Sequence, residues 1–475
     1  MKIGKSTIVH FISRVGLSAA GFVATFLIAY LLGADVLGKY KVVVALVLWL
    51  NIPTMAISSA INKRVSEGDS CGAFLSAGFI LTAILGTAVA LAVVFFNHYV
   101  NQYVGAPVSG LLAFILLADA GLYSVSGALD GQKKVASRGI LQTLERVSRT
   151  GLQVALILLG WRLTGLLVGH AVSLAIAAIL GIFLFDTWPT IPSIEQFRSL
   201  FEYARYAWLG TVQTRSFAWM DTLVLAFFVS SSLIGIYEVA WGLASVLVLV
   251  GLSIQQILFP ELSELGTEGS DERIHTHLDE GLAFTGIFSI PGLFGVLIVG
   301  ERLLRIYGAE FAQGATILAI LVLARTISAY GAQFVSAINA IDRPDVAFRI
   351  NAVFVVANVL LNVFLIYLFG WYGAAVATAI SALLMLVLGY LSLSKLIGSP
   401  SIPTLEILRQ IVAAGLMGIS LLGLVEVMPT GLLATIVVVL LGIAIYSSIL
   451  LTISTRIRRR AISLLPEPIR TKYDI

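Results

Sequence analysis

Charge is what this chain has least of. Asp, Glu, Lys and Arg make up only 12% of its 475 residues, against 59% hydrophobic residues and a mean hydropathy of +0.98, too little polar surface to cover a soluble globule of that length. Cysteine is nearly missing: Cys71 stands alone, which excludes a disulfide framework, a thiolate metal site or a CxxC redox pair within one chain. His10, His98, His170, His275 and His277 share no convergent spacing, so surface or packing roles account for them. No small-residue cleavage site follows Lys2 and Lys5 before the apolar run reaches about Leu32, and a retained first span is expected in place of a signal peptide. Gly33 to Tyr40 fits GxxxxGK, but Tyr40 stands where a P-loop needs Ser or Thr, and the turn joins two helices. No catalytic residue, metal site, cofactor or nucleic-acid partner is assigned.

Membrane-length apolar runs are what the chain does have. Crossing a hydrocarbon layer of about 30 Å takes roughly 20 residues, and only helices or closed barrels satisfy their backbone there. Such runs lie near 8–32, 41–61, 73–96, 108–129, 136–159 and 164–185, then near 205–229, 234–258, 281–300, 313–337, 346–369, 372–394, 405–428 and 432–453. They are too long and too continuously apolar for barrel strands. The expected fold is an all-α polytopic membrane protein with about 14 transmembrane helices. Residues 1–186 form one six-helix lobe and 187–204 a cytoplasmic amphipathic linker with Ile194, Phe197, Phe201 and Ala204 at helical spacing. A second six-helix lobe covers 205–396, and 397–475 holds two extra helices and a basic tail.

Basic loop residues set the orientation. Lys63, Arg64, Lys133, Lys134, Arg138, Arg343, Arg349 and the tail arginines Arg456, Arg458, Arg459 and Arg460 share one side, whereas Lys39, Lys41, Arg162, Arg302 and Arg305 fall on the other. Both termini are therefore expected in the cytoplasm, with the protein in the cell membrane. The loops on the far side are too short for a catalytic domain.

The halves read as copies. Leu37-Gly38-Lys39-Tyr40-Lys41-Val42 aligns with Ile234-Gly235-Ile236-Tyr237-Glu238-Val239 at an offset of 197, which also sets Ser66-Glu67 on Ser263-Glu264. Val135-Ala136-Ser137-Arg138 and Gly160-Trp161 answer Val346-Ala347-Phe348-Arg349 and Gly370-Trp371 with one residue of slip. An even number of spans per copy brings both in from the same side, the plan of a two-lobed transporter with its axis along the membrane normal.

An arginine near the bilayer centre costs about 2.5 to 3.5 kcal/mol on insertion. Arg14, Arg146, Arg149, Arg215 and Arg325 fall inside spans and Arg64 at the inner mouth of the second. The five inside spans are expected to face a wet or anionic interior. Gln142, Arg146, Arg149 and Gln153, at i, i+4, i+7 and i+11, form a polar stripe on the fifth span. Asp119 lies at the depth of Arg149 and is expected to pair with it. Asp221 is either a coupling-cation ligand or a clamp on an arginine. Asn351, Asn358 and Asn362 give the second lobe an uncharged stripe.

Several stretches carry a resemblance: Leu31-Leu32-Gly33-Ala34-Asp35-Val36-Leu37-Gly38-Lys39-Tyr40, Ala128-Leu129-Asp130-Gly131-Gln132, and Leu158-Leu159-Gly160 with Gly165. Asp221 followed by Gly235-Ile236-Tyr237-Glu238-Val239-Ala240, and Leu258-Phe259-Pro260-Glu261-Leu262-Ser263, complete the set. From about residue 5 to 395 the chain resembles the polysaccharide-biosynthesis branch of the multidrug/oligosaccharidyl-lipid/polysaccharide exporter superfamily, which includes O-antigen and lipid II flippases. The resemblance implies two lobes around a cavity that opens alternately to either side, with cations gripping the phosphate or pyrophosphate of a polyprenyl- or dolichyl-type lipid-linked glycan; the candidates for that grip are Arg14, Arg64, Arg146, Arg149, Arg215 and Arg325. Membrane lipids and glycan-assembly enzymes are the further partners it implies. Arg14 and Arg64 match positions where lipid II flippases carry cavity arginines, and the helices over 405–453 resemble those flippases' additional pair. The activity expected is flipping, not enzymatic catalysis. A cation-coupled multidrug antiporter of the same superfamily is the alternative, but it wants cavity carboxylates, and here intramembrane Arg outnumbers Asp119, Glu145 and Asp221. A membrane glycan polymerase or ligase would need a sizeable outer loop.

Overall fold

Backbone groups that meet no water in a bilayer must close their hydrogen bonds within the segment. Among residues 2–463, which this computed structural model describes, every regular element is a helix. The side chains of 2–20, 22, 208–211, 213, 214, 217 and 461–463 lie outside the described set. The chain divides into two compact units, Met1–Glu238 and Val239–Ile475.

The first unit contains α1 (Lys2–Leu50), α2 (Ile52–Ser66), α3 (Cys71–Phe95), the short α4 (Asn97–Val104), α5 (Ser109–Gly131), α6 (Val135–Leu158), α7 (Arg162–Ile182) and α8 (Ile194–Phe228). Here α2 packs on α3, α5 and α8, while α7 packs on α5 and α6. Next, α9 (Ser231–Leu247) runs across the division. The second unit continues with α10 (Leu249–Glu268), α11 (Asp271–Thr285), α12 (Ser289–Arg305), α13 (Ala315–Ala340), α14 (Pro344–Phe369) and α15 (Trp371–Ile397). It closes with α16 (Thr404–Val427), α17 (Leu432–Ile453) and α18 (Thr455–Ser463). There α13 packs on α10, α12 and α15, and α16 on α12 and α17.

Nine helices are long and apolar enough to cross a membrane among the described residues, or eleven if each of two bent pairs counts as one span. They make the chain a multi-pass membrane protein. Of the remaining expected spans, the first and seventh run through side chains outside the described set. The fifth is α6, whose Arg138, Glu145, Arg146 and Arg149 hold down its apolarity. Val353, Val356, Leu360, Val363, Phe364 and Tyr367 of α14 are all exposed, a continuous apolar face that a soluble protein does not tolerate. The expected linker differs in detail. Ser193 and Gln196 form a capping box, after which α8 runs for 35 residues with no proline to stop it. Leu200 and Ala204 are its buried residues in that stretch, and Ile194 and Phe201 are exposed.

The internal repeat is written into backbone geometry. The pair of helical segments 23–50 and 52–66 bends by 50° around Asn51, and α9 and α10 bend by 47° around Val248, at the same offset of 197. Lys133 and Asp342, each two residues beyond the end of its helix, both take positive φ, 61° and 59°. Lys134 N then donates to Leu129 O at 2.8 Å and Arg343 N to Ile338 O at 3.1 Å, so the two copies leave α5 and α13 through the same left-handed helix end.

The Gly-x-Tyr signature also has a mechanical reason. A Cβ on Gly38 would fall 1.8 Å from the carbonyl oxygen of Ser231, and one on Gly235 would fall 2.1 Å from that of Ala34. Ala34 and Ser231 are themselves related by the offset of 197, so each glycine seats its helix on the equivalent carbonyl of the other copy. Gly38→Ala is expected to lower stability by about 1 to 3 kcal/mol through overpacking. Gly110→Ala, with nothing within 4 Å of the new methyl, is its control in detergent thermal unfolding.

Candidate functional site

The polar stripe of α6 meets two different surroundings. Gln142 and Arg146 are exposed, whereas Glu145 and Gln153 are buried and Arg149 is intermediate. Arg149 Nε lies 2.7 Å and its Nη2 2.6 Å from Glu145 Oε1, one turn back on the same helix. Glu145 also accepts from Ser173 Oγ of α7 at 3.1 Å, and Ser173 Oγ lies 2.8 Å from His170 O. Gln153 donates from Nε2 to Tyr40 Oη and to Leu166 O, both at 2.9 Å. Tyr40 Oη lies 3.4 Å from His170 Nδ1. Gly169 makes this possible, since a methyl there would meet Gln153 Cγ at 2.9 Å. One network thus ties α1, α6 and α7 together around Arg149.

A second group adjoins it. The bend at Asn51 points that side chain at α5, where Asn51 Nδ2 donates to Asp119 Oδ2 at 2.8 Å and to Leu116 O at 3.2 Å. Thr54 Oγ1 donates to the backbone carbonyl of Asn51 at 2.8 Å. Arg215 Nη2 of α8 donates to Tyr123 Oη at 3.2 Å and approaches Met55 Sδ at 3.4 Å. Arg149 and Arg215 both act electrostatically on Asp119, so two guanidiniums and two carboxylates share one polar interior in the first unit. The pairing expected between Arg149 and Asp119 is replaced here. Glu145 holds Arg149, because an i, i+4 partner is already on the same helix face, and Asp119 receives Asn51.

The other expected residues are dispersed. Arg64 binds Glu67 at 3.0 Å at the end of α2, with Lys63 3.2 Å from the same carboxylate. Those two cations hold the Glu67 carboxyl below its usual range. Asp221 is buried and accepts from the Tyr237 hydroxyl. Nearby, Glu238 accepts from Thr222 and lies 3.6 Å from Lys41 Nζ. Lys39 of the near-miss P-loop lies 2.7 Å from Asp35, which also accepts from Ser231. In the second unit Arg325 lies 5.2 Å over the Trp241 ring. Asn358 is buried there, and its carbonyl accepts from Asn362 Nδ2 at 3.0 Å. The Arg14 side chain lies outside the described residues. Asn51, Tyr40, Tyr123, His170 and Ser173 were not among the expected site residues. Glu145 could have been placed from its spacing to Arg149 alone. No group of three or more His, Cys, Asp or Glu able to hold a metal ion occurs among the described residues.

Known proteins with matching sequence agree on a family. Residues 3–266 match the family model described as polysaccharide biosynthesis protein, and residues 154–442 match that of the lipid II flippase MurJ. The probable flippase AglR of Haloferax volcanii is 30% identical over 98% of this chain and 99% of its own length. The probable low-salt glycan biosynthesis flippase Agl15 of the same organism is 28% identical over 80% of this chain and 81% of its own. A solved structure of lipid II flippase MurJ in an inward closed conformation has a TM-score of 0.77 at 16% identity, covering 94% of this chain and 98% of that one. That likeness shows a shared fold.

Removing one member of a buried ion pair costs about 3 to 5 kcal/mol because the other is left uncompensated. Glu145→Gln is therefore expected to destabilise the protein by that order, and Gln142→Ala, on the exposed part of the same stripe, by less than about 0.5 kcal/mol. Thermal unfolding of the two variants side by side measures the difference.

Proposed function

The chain belongs to the polysaccharide-biosynthesis and lipid II flippase branch of the multidrug/oligosaccharidyl-lipid/polysaccharide exporter superfamily, and from that premise we propose that it moves a lipid-linked glycan across the cell membrane. The cargo proposed is a glycan on a polyprenyl- or dolichyl-type phosphate or pyrophosphate, taken from the cytoplasmic to the outer leaflet, with both termini in the cytoplasm. Glycan-assembly enzymes would supply the cargo on one side and consume it on the other.

The observation that carries this reading is Arg146. It stands in the middle of α6 with an exposed side chain and no ion pair among the described residues. A guanidinium at that depth is costly without a counter-ion, and a ligand phosphate would supply one. Arg149 lies three residues on, on the same helix face, so one phosphate can reach both forks. Arginine suits the task because its planar donors bind phosphate in pairs and stay charged when desolvated. In the proposed cycle the phosphate takes over donors of Arg149 that Glu145 holds in this structure. Gln142, Gln153 and Asp119 line the path, and Arg14, Arg64 and Arg215 contribute further cation. Arg325 and Asn358 are proposed for substrate contacts of their own in the second unit, and Asp221 for coupling.

Movement is by alternating access, with the lipid tail remaining in the bilayer. An inside-negative potential favours outward transfer of an anion by about 2.3 kcal/mol per charge per 100 mV, so no nucleotide is required. The antiporter reading has less to stand on, because Glu145 and Asp119 are already engaged by Arg149 and Asn51.

In liposomes carrying a short-chain fluorescent polyprenyl-pyrophosphate sugar on one leaflet, transfer is expected to rise with the potential. It should fall at least about tenfold in Arg146→Ala, the equivalent of one charge-assisted contact of roughly 1.5 to 3 kcal/mol, with Arg146→Lys intermediate. Absence of transfer, together with proton- or sodium-driven uptake of an organic cation that depends on Asp221, would sink the proposal.

A further inference from the structure

The last described helix is held in a way that leaves half of its charge free to work. Helix α18 follows the apolar α17 after a single residue, Ser454, and carries Arg456, Arg458, Arg459 and Arg460. Two of them are spent on docking: Arg456 Nη1 lies 2.7 Å from Asp279 Oδ2 and Arg460 Nη2 lies 3.8 Å from Glu280 Oε1, both on α11. Ile457 is buried in the apolar cluster around Met417, Leu421, Tyr446 and Leu450. Its N–H donates to Ser454 Oγ at 3.1 Å, and Ser454 Oγ donates to the buried Glu406 at 2.6 Å. Spacing of i, i+4 places Arg456 and Arg460 on one face toward α11. Arg458 and Arg459 are exposed and make no ion pair among the described residues.

Beside them opens a cleft of about 410 Å³ lined by Glu280, Phe284, Thr455, Arg456, Arg459 and Arg460. It offers a cation and a hydroxyl at its rim and an aromatic side chain in its wall, directly where a spanning helix leaves the membrane. We propose that this cleft is a binding site for an anionic phospholipid of the surrounding leaflet, with Arg459 and Thr455 holding the phosphodiester, Phe284 against the glycerol and first acyl carbons, and Arg458 adding surface attraction. Basic clusters immediately beyond a transmembrane helix recognise anionic lipid by this combination of charge and depth. The site is independent of the cargo assigned above. Because α18 is pinned by Ile457 and two ion pairs, the arginines are presented without further ordering of the chain.

The test uses the full chain in phosphatidylcholine vesicles with and without phosphatidylglycerol, reading retained lipid by native mass spectrometry and unfolding temperature by fluorescence. Phosphatidylglycerol should bind selectively and raise the unfolding temperature, and the gain should fade at high salt, a readout that needs no variant. The double variant Arg458→Gln, Arg459→Gln is expected to bind phosphatidylglycerol roughly twenty- to thirtyfold more weakly while keeping its unfolding temperature in pure phosphatidylcholine. Arg456→Ala should lower the unfolding temperature in both vesicles. Equal retention of phosphatidylglycerol by wild type and double variant overturns the proposal. So does an equal gain from soluble glycerol phosphate in phosphatidylcholine, which would make the ligand a free phosphate.

Discussion

A guanidinium inside a membrane helix is costly unless it is paired, and the polar interior of the first unit is arranged around how Arg149 is paired. Its partner Glu145 sits one turn back, and that carboxylate is fixed in turn by Ser173 on α7. Gln153 and His170 carry the network to Tyr40 on α1. Three helices are thereby held by polar contacts, where lipid provides no hydrophobic force to press them together. Small residues let the contacts form: without the bare Cα of Gly169, α7 could not come close enough to Gln153.

The same economy explains why the repeat is visible at a few positions and blurred elsewhere. Lipid-facing positions ask only for apolar bulk, so Leu, Val, Ile and Phe exchange freely and similarity between the copies decays. Gly38 and Gly235 cannot drift, because each lies against a backbone carbonyl of the other copy. The bends at Asn51 and Val248 keep their offset although one has a nearby proline, Pro53, and the other has none. Geometry has been kept where sequence has not. In the first copy the bend also acquired chemistry, since Asn51 reaches Asp119 from it, whereas Val248 in the second copy can only pack.

That contrast marks how far the sequence could be read. Helical class, the repeat and the stripe on α6 rest on periodicity and hydropathy, which are local, and they were legible. Depth along two helices points from Arg149 to Asp119, but spacing along one helix decides the partner, since Glu145 stands four residues away. Asn51, Tyr40, His170 and Ser173 were out of reach for another reason: each looks like an ordinary polar residue at a helix bend or face until tertiary packing brings it to Arg149 or Asp119. Arg64, a cavity cation by the resemblance alone, is paired with Glu67 at the helix end in this structure.

In the proposed cycle the protein returns without cargo, where unpaired charge in the membrane is costly, and there the Glu145–Arg149 pair would have a meaning beyond structure. Glu145 is the counter-ion of Arg149, so the pair itself adds no net charge. A phosphate bound there as proposed would compete for the same donors, and the more charge it carried the better it would displace one carboxylate already shared with Ser173. Arg146, with no carboxylate of its own among the described residues, supplies the initial attraction that a fully neutralised site would lack. The division of labour between a compensated arginine and an uncompensated one thus reconciles two demands on the proposed flippase: capture of an anion from the leaflet, and a return stroke that carries little unpaired charge through the membrane interior.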